Sequence, residues 1–194
     1  FPLTLENITA SSGALLDMEK LASYAKDRIA DMNAEQTYES GILWAEIYDV
    51  ELAHAMAQDA GYTKKIFDIE RDNEQRRKDI AKWSDLRDQI GCFFDSIFAS
   101  GDKEPLPGDA MATNRIVESF CATYDLSDDH DTWFGKIREF AGRLGYAPSN
   151  KEFKQNPDKY LGSVADVATT LRILVTGRTR SPDLHQIMTV MGTD

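Results

Sequence analysis

Apolar side chains recur at three- and four-residue steps along most of this 194-residue chain, and runs of strict alternation are few. Such spacing places side chains on one face of an α-helix. One example follows Asp17, a residue type that caps helix N-termini, and others lie in the second half of the chain. The residues of these faces include Met18, Leu21, Ala25, Ile29, Trp133, Ile137, Phe140, Val164, Val167 and Leu171. The pattern predicts an all-α protein.

Capping and breaking residues divide this pattern into helices. Asn33 with Gln36 and Ser163 with Asp166 have the spacing of capping boxes. Gly61 is expected to stop a third helix, and a single helix is expected from the Ser84-Asp85 cap through Ile97. The segment "ASGDKEPLPGD" at 99–109 combines Pro, Gly and charged residues, which is typical of a boundary. We therefore predict two helical subdomains, 1–100 and 101–194.

The formal net charge of −11 disfavours general affinity for nucleic acids, but the charge is unevenly distributed. Residues 1–60 and 91–132 are strongly acidic, whereas residues 133–194 carry 9 basic and 6 acidic side chains, a net +3. This pattern fits a protein with one face that tolerates a polyanion, and it also fits a random scatter of surface charge.

No membrane span is expected in this sequence. The start "FPLTLENITA" lacks Met, which suggests a piece of a longer polypeptide, and Cys92 and Cys121 suggest reduced core thiols in a cytoplasmic protein.

Residues for catalysis are not grouped in any familiar pattern. There is neither a GxGxxG fingerprint nor a GxxxxGK[ST] loop, and the three histidines lie far apart in sequence. The stretch "SDDHD" at 127–131 is better explained as the start of a helix than as a metal site. We expect no catalytic residue, metal or cofactor in this chain.

The stretch "LRILVTGRTRSPDLHQIMTVMG" at 171–192 concentrates positive charge in a turn. Gly177 is expected to end one helix, and Ser181 and Pro182 to be the N-cap and first residue of the next. Arg178 and Arg180 would then stand beside free N–H groups of a helix start, with Arg172 on the preceding helix. This arrangement predicts a site for a phosphate or an unstacked base edge. A plain helical hairpin with solvated arginines explains the same spacing.

The same stretch resembles the C-terminal part of bacterial glutamyl-tRNA synthetases. The similarity is carried by "LGSVADVATTLRILVTGRTRSPDLHQIMTVMG" at 161–192, "GYAPSNKEFKQNPDKYLG" at 145–162, "RRKDIAKWSDL" at 76–86 and "SSGALLDMEKL" at 11–21. The resemblance implies the end of the stem-contact region and helical anticodon-binding subdomains. It also implies a parent enzyme whose class I catalytic signatures are absent from this chain, so we expect the chain alone to be inactive.

In such a parent, glutamate is activated with ATP and Mg²⁺ and joined to glutamate tRNA, by a cytoplasmic monomer. The family's anticodon contacts fall on Arg172, Ser181, Pro182, Leu184 and His185, and a further arginine that reads the first anticodon base falls on Arg77. The charge argument adds Arg178 and Arg180. Two other hypotheses are a helical module that docks an acidic protein partner and an enzyme active on its own.

Overall fold

The computed structural model describes residues 17–71 and 76–192. These residues form eleven α-helices, and their only β pairing is an isolated bridge between Ala147 and Ser163. The all-α prediction is confirmed. The first six helices are α1 (Met18–Ala30), α2 (Ala34–Tyr48), α3 (Val50–Gln58), α4 (Ala60–Asp68), α5 (Leu86–Ile90) and α6 (Asp95–Ser100). The other five are α7 (Ala110–Cys121), α8 (His130–Arg143), α9 (Asn150–Gln155), α10 (Val164–Thr176) and α11 (Leu184–Met191).

Several helix starts follow the predicted capping residues. Asn33 Oδ1 accepts a hydrogen bond from Gln36 N at 2.8 Å, and Gln36 Oε1 accepts one from Asn33 N at 3.1 Å. At the start of α10, the Asp166 carboxylate accepts a hydrogen bond from Ser163 N at 2.7 Å. These bonds satisfy N–H groups around the helix start that have no partner within the helix. Both predicted starts are confirmed.

The expected single helix through Ile97 is wrong. The chain instead forms α5, a single 3₁₀ turn at Gly91–Phe93 and then α6, with extended backbone at Phe94. A Cβ added at Gly91 would lie only 2.8 Å from Ile97 Cγ2. The chain therefore folds back on itself at Gly91, and the apolar residues reach the core by a bend rather than along one helix face.

Two further predictions are corrected by the structure. Gly61 does not stop a helix, because the Asp59 carboxylate accepts a hydrogen bond from Tyr62 N at 2.8 Å and starts α4 before it. Cys121 is exposed and therefore not a core thiol. Cys92 is half-buried, and burial raises the pKa of its thiol to about 11.

The buried apolar side chains form two clusters. The first cluster holds residues of α1 to α6 and the intervening turns, and the second holds residues of α7, α8 and α10. Helix α11 contributes to both clusters, because Ile187 belongs to the first while Leu184 and Met188 belong to the second. The junction between the clusters lies beside the predicted turn. The division at residue 100 stays a prediction.

The N-terminal helices carry apolar side chains that the described residues leave uncovered. On α1, Met18 and Tyr24 are 63% and 72% exposed, although the sequence pattern places Met18 on an apolar face. On α2, Leu43, Ile47 and Tyr48 are also exposed. Among the described helices, none has the length and apolar character needed to cross a bilayer.

Candidate nucleic-acid interface

The arginine turn, residues 177–182, connects α10 to α11. Gly177 ends α10 in the left-handed conformation with φ of 73°, as predicted. Helix α11 begins at Leu184, because Asp183 is the N-cap and its carboxylate accepts a hydrogen bond from Gln186 N at 2.9 Å. The prediction that Ser181 is the N-cap and Pro182 the first helical residue is wrong. Both residues belong to the turn itself.

Arg172 holds this turn from α10. Its Nη1 donates hydrogen bonds to Ser181 O at 3.1 Å and Pro182 O at 2.7 Å, and a short one to Ser181 Oγ. This use of the Ser181 hydroxyl explains why Ser181 does not cap α11. Burial lowers the pKa of the Arg172 guanidinium, while Asp183 and Glu70 act in the opposite direction. Arg172 is therefore a structural support of the turn.

The two other predicted arginines lie on the surface of the turn. Arg178 Nη2 is 3.1 Å from Asp88 Oδ1 in a largely exposed ion pair. Arg180 is exposed and forms no salt bridge with the described residues. Together with Asp88, Gln89 and Glu104, both arginines line a cleft of about 220 Å³, the upper cleft. The turn thus presents cationic side chains to solvent.

Arg77 meets the same turn from a distant part of the sequence. Its side chain is only 7% exposed, and its Nε donates a short hydrogen bond to Asp79 Oδ2. The buried Nη2 has no hydrogen-bond partner among the described residues. Arg77 lines a second cleft of about 390 Å³, the lower cleft, together with Arg180, Ser181 and Pro182. Folding therefore places a spare buried donor beside the turn.

Two hydrogen bonds through Glu70 connect the Arg77 segment to helix α11 beside the lower cleft. Glu70 N donates a hydrogen bond to Gln186 Oε1 at 3.0 Å, which joins the end of α4 to α11. Arg77 N in turn donates to Glu70 O at 3.3 Å. Glu70 has a positive φ of 58°, which is uncommon for a residue with a side chain. The position of Arg77 is thus linked to α11 through Glu70.

Leu184 and His185, which the sequence also suggests as contacts, line neither cleft. Leu184 is 2% exposed and packs in the second cluster, so its side chain is not accessible to a base. The His185 ring is 5.4 Å from the Trp133 ring, and its Nε2 lies 2.9 Å from Asp128 O. Both side chains hold the start of α11 against its neighbours.

Sequence reasoning missed several residues of this region. Gln89 lines both clefts from α5, and Glu104 contacts the turn from the segment predicted as a boundary. Arg71 donates to Ile29 O at 3.0 Å and to Met32 O, so it ties the end of α1 to the chain after α4. No local pattern marks these contacts. Within the described residues, no group of three or more His, Cys, Asp or Glu side chains is placed to hold a metal ion.

Comparison with known proteins supplies the relatives of this chain. It is 38% identical to the glutamate–tRNA ligases of Clostridium perfringens, Clostridium beijerinckii and Sorangium cellulosum, over 95%, 100% and 99% of its own length. Its homologues are glutamate–tRNA ligases. The resemblance identified from the sequence is thereby confirmed. The chain spans about a third of the length of these relatives, and no protein-family model matches it.

Proposed function

We propose that this chain is the tRNA-binding part of a glutamate–tRNA ligase and that it reads anticodon bases at the arginine turn. The names of its homologues support the ligase, since each is a glutamate–tRNA ligase. The lower cleft carries the proposal for the site. It gathers Arg77, Arg180, Ser181 and Pro182 from segments about a hundred residues apart, and Arg77 brings a buried donor that has no partner within residues 17–71 and 76–192.

The chemistry of these residues suits unstacked RNA bases. Arginine offers a planar surface for stacking and a fork of donors for base edges or phosphates. Arg77 and Arg180 act as donors in this proposal, Pro182 gives apolar contact, and Arg172 with Ser181 keeps the turn in shape. Arg178 adds positive charge near the backbone. Leu184 and His185 support the start of α11. Acidic surfaces elsewhere discourage indiscriminate RNA binding.

The activity of the whole ligase is part of this proposal. The complete enzyme would activate glutamate with ATP and Mg²⁺ and transfer it to glutamate tRNA, as a monomer in the cytoplasm. Residues 1–100 of this chain would supply the end of its stem-contact region and a first anticodon-binding subdomain, and residues 101–194 a C-terminal anticodon-binding subdomain. Part of the segment resembling the stem-contact end, residues 11–16, lies outside the described residues. The reacting groups would be supplied by residues outside this chain.

A binding experiment tests the anticodon proposal. The 194-residue chain is titrated with a transcript of bacterial glutamate tRNA and with the same transcript carrying scrambled anticodon bases, at several salt concentrations. We expect tighter binding of the first RNA and weaker binding of both as salt increases, because phosphate contacts release counterions. Equal affinity for the two RNAs would overturn the proposal of base reading.

A pair of arginine variants localises the interaction. Arg180→Ala is expected to weaken binding of glutamate tRNA by about tenfold, within the range of a lost base contact. Arg115→Ala is the matched control, because Arg115 is an exposed residue of α7 that lines neither cleft. It removes the same charge and should change the affinity by about twofold or less. Equal losses in the two variants would contradict a site at the turn.

A helical protein-interaction module is the second candidate. The observation that favours it is the exposed apolar surface of α1 and α2, which includes Met18, Tyr24 and Ile47. Large apolar patches often mark sites where proteins meet. This candidate predicts that the chain binds the two transcripts equally and at the same weak level, so the experiment above separates it from anticodon reading.

A further inference from the structure

The arginine turn is fastened to the segment that follows α6. Glu104 N donates a hydrogen bond to Gly177 O at 2.8 Å, and Thr179 N donates one to Glu104 Oε2 at 3.0 Å. The turn and Glu104 are 75 residues apart in sequence at this second contact. Carbonyl groups at the end of a helix lack partners within the helix, so Gly177 O is available for such a bond. One residue therefore holds the backbone of the turn at two points.

Packing at Gly177 reinforces this attachment. A Cβ added to Gly177 would lie 3.3 Å from Lys103 Cγ and 3.5 Å from Phe98 Cε2, so the two segments are in close contact. Lys103 also stabilises its own segment, because its Nζ donates to Phe98 O at 2.7 Å and to Gly101 O at 3.2 Å. The surface beneath the turn is thus organised before any ligand binds.

The carboxylate of Glu104 also lies among the arginines of the upper cleft. Its hydrogen bonds with Thr179 lower the pKa of the Glu104 carboxyl, and the charges of Arg178 and Arg180 act in the same direction. The group is therefore ionised at neutral pH. The carboxylate accepts its hydrogen bond from Thr179 N, and Arg178 and Arg180 are the neighbours of Thr179 in sequence. The backbone position of Thr179 therefore determines the backbone positions of both arginines.

We propose that Glu104 is a positioning residue for RNA recognition, which fixes the backbone at Thr179 and thereby places Arg178 and Arg180. This inference rests on the proposed function. The role belongs to the hydrogen-bond acceptor rather than to the negative charge. A glutamine at position 104 can still accept from Thr179 N, whereas an alanine cannot.

Three variants of the 194-residue chain separate these effects. Glu104→Ala removes the acceptor and the charge, and Glu104→Gln removes only the charge. Glu118→Ala removes one negative charge from an exposed position on α7 and serves as the matched control. Each variant is titrated with glutamate tRNA transcript and with the transcript carrying scrambled anticodon bases. Amide hydrogen exchange of Thr179 is measured in the free protein.

We expect Glu104→Ala to lose about tenfold of the preference for the natural anticodon and to exchange the Thr179 amide at least about tenfold faster, as for one lost hydrogen bond. Glu104→Gln and Glu118→Ala should keep the preference within about twofold. Equal loss in Glu104→Ala and Glu104→Gln would overturn the positioning role, as would an unchanged preference in Glu104→Ala. If the unsubstituted chain does not distinguish the two RNAs, the proposed function itself fails.

Discussion

Replacing Arg172 by alanine removes the support of the arginine turn. The loss comprises the hydrogen bonds from Nη1 to Ser181 O, Ser181 Oγ and Pro182 O. The Ser181 hydroxyl keeps a partner, because it also donates to Pro182 O at 2.9 Å. A hydrogen bond to a charged group contributes about 1.5–3 kcal/mol, but the site is half-buried and water can replace part of the loss. We therefore expect the free energy of unfolding to fall by about 2 kcal/mol, a factor of about 30 in the folded-to-unfolded ratio.

Urea unfolding followed by tryptophan fluorescence measures this change. The midpoint should fall while the slope stays constant, because the same surface is exposed on unfolding. Arg143→Ala is the control, since Arg143 forms an exposed pair with Glu139 at 3.1 Å on α8. Such a pair contributes about 0.5 kcal/mol or less. If Arg172→Ala and Arg143→Ala are equally stable, Arg172 does not support the turn.

Three further predictions concern separate parts of the chain. Arg77→Lys should preserve an ion pair with Asp79 yet weaken glutamate tRNA binding by about 1–3 kcal/mol, measured by titration, because the spare guanidinium donor is lost. The hydrogen bonds from Arg87 lower the pKa of Asp49 below 3.8, so its contribution to stability is complete above that pH and is lost as pH falls below it. Urea midpoints below pH 4 should therefore decline more steeply in the natural chain than in Asp49→Asn. Gly177→Ala should lower the free energy of unfolding by about 1–2 kcal/mol, because residue 177 has a left-handed backbone. Gly135→Ala within α8 should raise it by about 0.5–1 kcal/mol, because a Cβ there meets nothing within 4 Å. Thermal unfolding measures both changes.

Local sequence signals predict the helices well where one residue determines a helix end. Ser163 with Asp166 starts α10, and Gly177 ends it, because each effect depends on neighbours within four residues. The start of α11 was mispredicted because Ser181 and Asp183 are both good caps. The choice between them depends on Arg172, which occupies the Ser181 hydroxyl from the preceding helix. The choice of N-cap is therefore determined by a tertiary contact rather than by the local sequence.

The candidate site likewise combines features that the local sequence predicts with features that depend on tertiary contacts. The sequence indicates a cationic turn, and the family resemblance adds Arg77, but neither predicts that Arg77 and the turn share a cleft. That arrangement depends on contacts such as Glu70 with Gln186, which lie 116 residues apart in sequence. Glu104 belongs to the segment predicted as a boundary, where composition indicates only a connection. Periodicity and capping patterns contain no information about such distant pairs.

Helix α11 lies near the end of the described chain, yet it contributes buried residues to both clusters. Ile187 packs in the first cluster, whose other buried members lie between residues 29 and 97. Chains emerge from the ribosome starting at the N-terminus, and domains generally fold as they become complete. Ile187 can join the first cluster only after α11 has been translated, about ninety residues after Ile97. The same helix supplies Leu184 and Met188 to the second cluster, so both clusters receive their last buried side chains in one step of synthesis.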